Sequence, residues 1–261
     1  MKISSISSSM VLSKRISIQW LSEQAGELTD TLVISTPKCF STDVRIFKEH
    51  YPYEKGNDLD LDAMDKIFEF VSMGTEIDIE GTNQVQFPSE VNLQEIVQAI
   101  KTGKSVEECK APPDIGTFWP IEGSEDRKET GSMVNPATGV CTDYVEVWRS
   151  LNPAETTPDE EVRENHWKNK KDDTEVGVYT YNAQEDNHRG RLIRLGNWVQ
   201  AVFYAYTNGK HQLSVLRAYY DESSGQWQYL IRYGPYDFPD LGTLFDKESI
   251  DFGGVLWTRV E

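Results

Sequence analysis

Residues 191–207 read RLIRLGNWVQAVFYAYT, and the side to which their polar-aromatic face turns decides what kind of molecule this chain makes. Taken as alternating positions, Arg194, Trp198, Gln200, Tyr204 and Tyr206 fall on one face, and Ile193, Leu195, Val199, Ala201 and Phe203 on the other. A period of two is the signature of a β-strand. Both faces carry large apolar groups, so the alternation leaves open which of them is the inner one. Asn208-Gly209 follows, then KHQLSVLRAYY. Asn and Gly tolerate the positive φ angles of a type I′ turn, so these segments are expected to pair as a hairpin.

Working outward, the rest of the chain also reads mostly as strands. RISIQW (15–20), TLVIS (31–35) and DVRIFK (43–48) alternate, and KIFEFVSMGTEIDIEG (66–81) suggests one long strand or a strand pair. SEVNLQEIVQAIKTG (89–103) is the exception: Leu93, Ile96, Val97 and Ile100 recur at helical spacing, with Ser89 able to cap and Gly103 able to end the helix. A polar stretch with Ala-Pro-Pro at 104–114 marks the expected boundary between an N-terminal unit, 1–113, and a C-terminal unit, 114–261. In the second half, ETGSMVNPATGVCTDYVEVWRSL reads as strand, turn through Asn135–Gly139, and strand. Residues 152–173 form a charged excursion before EVGVYTYN (175–182) resumes the alternation. Short strands, tight turns and no strand–helix–strand rhythm imply an all-β chain of antiparallel meanders or closed barrels with one minor helix.

Composition bounds the partners. With 43 acidic and 26 basic residues the formal charge is −17, which would repel nucleic acid and anionic membrane surfaces. Two segments, 57–65 and 155–164, are acidic enough to serve as protein-docking loops. The three cysteines, Cys39, Cys109 and Cys141, are odd in number and widely spaced, and no Asn-x-Ser/Thr sequon occurs, so a reducing compartment is expected. MKISSISSSMVLSKRIS at the start lacks the apolar core of a signal peptide or a membrane span. No metal-binding, nucleophile-elbow or dinucleotide motif occurs, and TGKS (102–105) lacks the leading glycine of a phosphate loop. Any chemistry is therefore expected to proceed without metal or cofactor.

The strands after 190 bring Trp198, Gln200, Tyr204, Arg217, Tyr219 and Tyr229 into neighbouring positions. In a small barrel one alternating face lines the lumen. Indole and phenol rings beside a guanidinium would there suit a flat, oxygenated, apolar or aromatic ligand. The competing reading is that the seven tryptophans fill core and that Arg217 pairs with an acid.

KETGSMVNPATG, YVEVWRSLNP, LIRLGNWVQAVF and VLRAYYDESSGQWQYLIRYG together resemble the fungal casein-kinase-I-interacting protein family, with a looser likeness in ISIQWL, DTLVIS, DVRIF and FEFVSMGTE. The resemblance implies two consecutive lipocalin-like barrels in the cytoplasm or nucleus. The helical 89–103 and acidic 57–65 stand where the family is expected to have a Trp-containing strand region, which suggests a paralogue with its own task. Similar two-barrel proteins of fungal secondary metabolism include hetero-Diels–Alderases that join a tropolone-derived quinone methide to a humulene-type alkene. By that analogy Arg217 would hold a ketone oxygen, Tyr219 or Tyr204 would act as general acid, and Glu129 would orient the leaving group. Trp148, Trp198 and Tyr229 would stack on the ring, with Trp119 and Gln200 completing the pocket. The alternatives are an adaptor for a casein-kinase-I-type partner, a carrier of apolar metabolites, and, for assembly, a homodimer.

Overall fold

The computed structural model describes residues 10–21, 23–54, 64–135, 137–158 and 176–261. Most of the acidic loop expected at 57–65, and the excursion from 159 onward, lie outside them. Ten strands form the first sheet. Val11–Trp20 (β1), Thr29–Ser35 (β2), Phe40–Phe47 (β3) and Phe68–Thr75 (β4) run as an antiparallel meander, and Ile77–Asp78 (β5) continues β4. Gln84–Phe87 (β6) and Ser89–Asn92 (β7) follow, then Asp114–Pro120 (β8), Arg127–Val134 (β9) and Cys141–Leu151 (β10). The strand order is β5-β6-β8-β9-β10-β1-β2-β3-β4-β7. Only Pro88 separates β6 from β7, yet β6 pairs with β8 and β7 with β4. The single run 84–92 therefore closes the sheet on itself, and eight staves make a barrel.

Proline stands at this changeover because it has no N–H to offer a ladder. Its carbonyl instead accepts from Thr75 N at 3.1 Å. Gly74 is required beside it, since a Cβ there would meet Pro88 O at 2.1 Å. A short helix, Met64–Ile67 (α1), precedes β4. From β7 the chain enters the helix Leu93–Thr102 (α2), capped by the Asn92 side chain on Gln94 N and ended by Gly103 at φ 69°, and the single turn Val106–Cys109 (α3) follows. The cap thus stands three residues after the expected Ser89, because Val91 is still paired with Met73 in the sheet.

Seven strands form the second sheet: Val178–Glu185 (β11), His188–Leu195 (β12), Trp198–Thr207 (β13), Lys210–Asp221 (β14), Gln226–Tyr233 (β15), Ser249–Phe252 (β16) and Val255–Arg259 (β17). Their order is β15-β14-β13-β12-β11-β17-β16, a curled half-barrel. The Asn208-Gly209 turn has φ 54° and 72°, as a type I′ hairpin needs. Tyr53, from the first half of the chain, lies against the outer side of β15: its N–H donates to Leu230 O at 2.9 Å and its carbonyl accepts from Arg232 N at 2.8 Å.

The sheets change over between Leu151 and Val178, not at 113/114. β8, β9 and β10 belong to the first barrel, because β10 lies along β1 from Leu12↔Leu151 to Trp20↔Tyr144 and supplies the stave that β1 needs. Ala-Pro-Pro at 111–113 is a strap between two staves of one barrel.

Two apolar clusters join the barrels. One sets Val44, Ile46, Phe68 and Ile96 against Val202, Tyr204, Val215 and Tyr233. The other sets Leu12, Leu32 and Ile34 against Ile193, Leu195, Trp198 and Tyr219. The concave side of the second sheet holds its own packed cluster, with Tyr181, Leu192, Phe203 and Trp257 all buried beneath Leu241 and Leu244 of the short helix Leu241–Leu244 (α4).

Candidate functional site

The two strands of the β9–β10 hairpin place three pairs of side chains in register: Arg127 opposite Trp148, Glu129 opposite Glu146, and Gly131 opposite Tyr144. Directly opposite residues of an antiparallel pair share a face. Here that face is the inside of the first barrel, where Arg127, Glu129, Tyr144, Glu146 and Trp148 line a cavity of about 150 Å³. The space exists because the inward positions facing the hairpin are small: Ser13, Ser35, Ser41, Ser72 and Gly74 also line it. Its apolar wall is Phe118, Val85 and Phe87, packed against Trp148 and Val33. Pro112, Pro113 and Asp114 line it from the strap, and Glu95 from α2.

Asp43, Arg45 and Glu146 of the cavity wall belong to a charge network. Arg15 donates to Glu146 at 2.7 Å, Glu69 at 2.6 Å and Glu27 at 2.6 Å. Arg45 donates to Asp43 at 2.7 Å and to the same Glu146 oxygen at 3.1 Å. Burial works against the charge of Arg45, but Asp43 and Glu146 more than offset it and hold its pKa above the usual value. Glu129 has no such cations in contact. Burial, followed by repulsion from Glu146 across the ladder, pushes its carboxyl up to about 8. The Tyr144 hydroxyl donates to Glu129 Oε1 at 2.8 Å, and burial followed by the neighbouring Glu129 raises the phenol's own pKa. Burial likewise raises Glu76, whose carboxyl accepts from the Ser35 hydroxyl, and Glu95 and Asp114. At neutral pH the cavity therefore presents a protonated carboxylic acid, Glu129, held by a phenol.

The residues singled out from the sequence divide between three places. Glu129 and Trp148 come together in this cavity. Arg217, Gln200, Trp198, Tyr219 and Tyr204 come together elsewhere, in the seam between barrels, because their face is the convex one. Arg217 pairs with Asp30 at 2.6 Å and donates to Gln200 Oε1 at 2.9 Å and Val44 O at 2.8 Å. Gln200 Nε2 donates in turn to Leu32 O at 3.0 Å and Thr42 O at 3.1 Å. Trp198 donates to Thr156 O at 3.0 Å and lies 5.3 Å from the Tyr219 ring, while the Tyr204 hydroxyl meets His211 Nδ1 at 2.9 Å. These groups bind the two halves of the protein to each other and do not line the cavity.

Trp119 and Tyr229 lie at the surface, 45% and 37% exposed. Trp119 faces out of its stave because its neighbour Phe118, opposite Glu129, faces in. Tyr229 is displaced from the face of Arg217 by a register shift between Arg217 and Ala218. Arg194, grouped with Gln200 from the sequence, is on the other side as well. The Gly196-Asn197 turn sets it opposite Val199, and its guanidinium lies 4.7 Å over the Phe245 ring. The lumen expected in the second half is filled by Trp257, Phe203 and Tyr181, and the hollow is in the first half instead.

Arg127, Tyr144, Glu146 and Phe118 were not singled out from the sequence. Alternation carried their signal: Arg127, Glu129 and Gly131 in RKETG, and Tyr144, Glu146 and Trp148 in YVEVW, become one charged inward face once the two segments are folded about 135–139. No group of three His, Cys, Asp or Glu side chains among the described residues stands close enough to hold a metal ion. No described helix is long and apolar enough to cross a membrane.

The HRI1 family profile, described as Protein HRI1, matches residues 11–261, which span both barrels. The chain belongs to the HRI1 family. This is the casein-kinase-I-interacting family that the second-half motifs resemble. The crystal structure of the uncharacterized protein YLR301w from Saccharomyces cerevisiae is similar over 97% of this chain and 98% of its own, with a TM-score of 0.64 at 18% identity. At that identity the likeness establishes the fold, two lipocalin-like barrels in one chain. No curated protein matches.

Proposed function

We propose that the first barrel takes up a small, flat, oxygenated molecule and that Glu129 is its general acid, in a cofactor-free cyclisation. One observation carries the reading: a carboxyl with its pKa pushed up to about 8 lines a cavity whose wall is Phe118, Val85, Phe87 and Trp148. A general acid works best when its pKa lies near the operating pH. On a hydroxymethyl tropolone, Glu129 would protonate the hydroxyl, water would leave as the C–O bond breaks, and the ring hydroxyl would return its proton to Glu129. The product of that step is a quinone methide. A humulene-type alkene then adds across its O=C–C=C unit, forming one C–C and one C–O bond. Cycloaddition of this kind needs its partners aligned more than it needs a nucleophile. The apolar side of the barrel, Phe118, Val85, Phe87 and Trp148, would shield the methide from water.

The test is incubation of the full chain with hydroxymethyl tropolone and humulene, followed by rate and product stereochemistry. One enantiomer in excess is expected, with the rate falling roughly 10²-fold or more in Glu129→Gln, the range typical of a positioned acid. Racemic product at the buffer rate sinks the reading. Tight binding with no turnover identifies a carrier instead. The adaptor reading rests on the acidic segments at 57–65 and 155–164, which fall largely outside the described residues.

A further inference from the structure

Three residues that line the cavity each hold a buried side-chain atom without a hydrogen-bond partner: Glu95 Oε2, an acceptor, and Arg127 Nε and Trp148 Nε1, both donors. Arg127 and Trp148 stand apart from Glu95. The two residues lie opposite each other on the β9–β10 ladder, share the inward face, and both line the hollow. Trp148 is 5% exposed. An unmatched buried donor is costly, and a pair of them on one face of one cavity is an unusual place to leave two.

Charge sharpens the point. The other guanidinium on the wall, Arg45, is matched by Asp43 and Glu146. Arg127 stands differently. Its Nη2 donates to the Ser13 hydroxyl at 3.0 Å, and no carboxylate of the described residues lies within ion-pair distance of it. The two acids nearest in charge, Glu76 and Glu129, are both pushed by burial toward their neutral forms. Burial itself draws the Arg127 pKa down, the mark of a cation whose compensation is incomplete. Its guanidinium lies 5.5 Å over the Phe118 ring, so one side of the charge is already covered by an aromatic face.

Resting on the reading of this barrel as a small-molecule site, we propose that its ligand is a planar organic anion. One oxygen of a carboxylate or enolate accepts from Arg127 Nε and Trp148 Nε1, and the conjugated body lies against Phe118, Phe87 and Val85. The guanidinium gains the counter-charge that the protein itself withholds, and both idle donors are satisfied at once. Glu129, one step along the ladder, then faces the substituents of the bound ring.

The probes are 2-naphthoate and its neutral counterpart 2-naphthamide, titrated into the full chain and followed by tryptophan fluorescence and calorimetry. The anion is expected to bind at least tenfold tighter than the amide. In Arg127→Met the anion's advantage should vanish while the thermal midpoint of the empty protein rises, since an uncompensated buried cation has been removed. Equal affinity for the two probes overturns the anion proposal and leaves the barrel a small-molecule site. Binding of neither overturns the proposal and the site together. A lowered midpoint in Arg127→Met would mark the residue as structural and also overturn the proposal. Trp148→Phe provides the check that does not depend on Arg127: the ring is kept, the N–H is lost, and about a tenfold loss of naphthoate affinity is expected, the worth of one hydrogen bond to a charged group.

Discussion

In the first barrel the inward positions of β1 to β4 include Ser13, Ser35, Ser41, Ser72 and Gly74, while in the second sheet the concave positions of β11 to β13 include Tyr181, Leu192, Val199, Ala201 and Phe203. The strand plan is similar, but one interior is hollow and charged and the other is filled. Small inward side chains leave volume that the neighbouring staves cannot close, because a barrel's radius is set by its strand number and tilt. Large inward side chains on a curled sheet, topped by Leu241, Leu244 and Trp257, consume the same space. Aromatic richness was therefore a poor guide to the pocket. Rings gathered where the protein packs against itself, and the cavity opened where serine, glycine and opposed charges were spent.

The sharpest way to break this comparison is to remove a ring from each interior. Trp257 is fully buried and its indole donates to the Tyr236 hydroxyl at 2.8 Å. Trp257→Ala is expected to cost about 3–5 kcal/mol, the range for large core truncations. Phe87→Ala, at a half-buried ring with the hollow on one side, should cost less than half as much, because fewer contacts are lost. Urea titration of both variants measures the difference, and equal losses would mean that the first barrel is as tightly filled as the second.

The seam should rank next. Arg217→Ala leaves Gln200 Oε1 and Val44 O buried without their donor and half-buried Asp30 with Lys14 as its remaining cation, and breaking a buried pair in this way costs about 3–5 kcal/mol at most. Burial raises the Asp30 pKa, but Arg217 and Lys14 more than offset that and hold it below the usual carboxylate range. Cavity ligands should bind the variant unchanged wherever it remains folded. A loss of ligand affinity in step with the seam would show that the two barrels are coupled.

The effect that is smallest over any one pH unit is a slope. Glu129 has a folded pKa of about 8, above its unfolded value, so its contribution is complete below the unfolded pKa and is lost as pH rises toward 8. Through that window Glu129 should subtract up to about 1.4 kcal/mol of stability per pH unit. Glu129→Gln should flatten this part of the pH–stability curve. An unchanged slope would mean that Glu129 titrates like an exposed carboxylate.

The sequence made much of this architecture legible where the signal is local. Alternation located β1, β2, β3 and β11 to β15, Asn208-Gly209 located its hairpin, and Leu93, Ile96 and Gly103 located α2. What stayed hidden depends on distant or subtle geometry. The first barrel needs β10 alongside β1, with Leu151 beside Leu12, and no local pattern announces that. Simple alternation places Arg194 and Tyr229 on the wrong face, because a two-residue turn at Gly196-Asn197 and one register shift beside Arg217 each reverse it. The site was half legible: Glu129 and Trp148 were singled out, but Arg127 and Glu146 acquire meaning only once the hairpin fixes who stands opposite whom.

Tyr53 donates to and accepts from β15 across the junction, so a residue of the N-terminal half finishes a strand of the C-terminal half. Each half produced alone would carry a bare ladder of amides and a wide greasy flank into solvent, the combination that invites aggregation. The pair is therefore expected to be inherited, expressed and degraded as one object, and a gene fragment encoding either half should yield inclusion bodies.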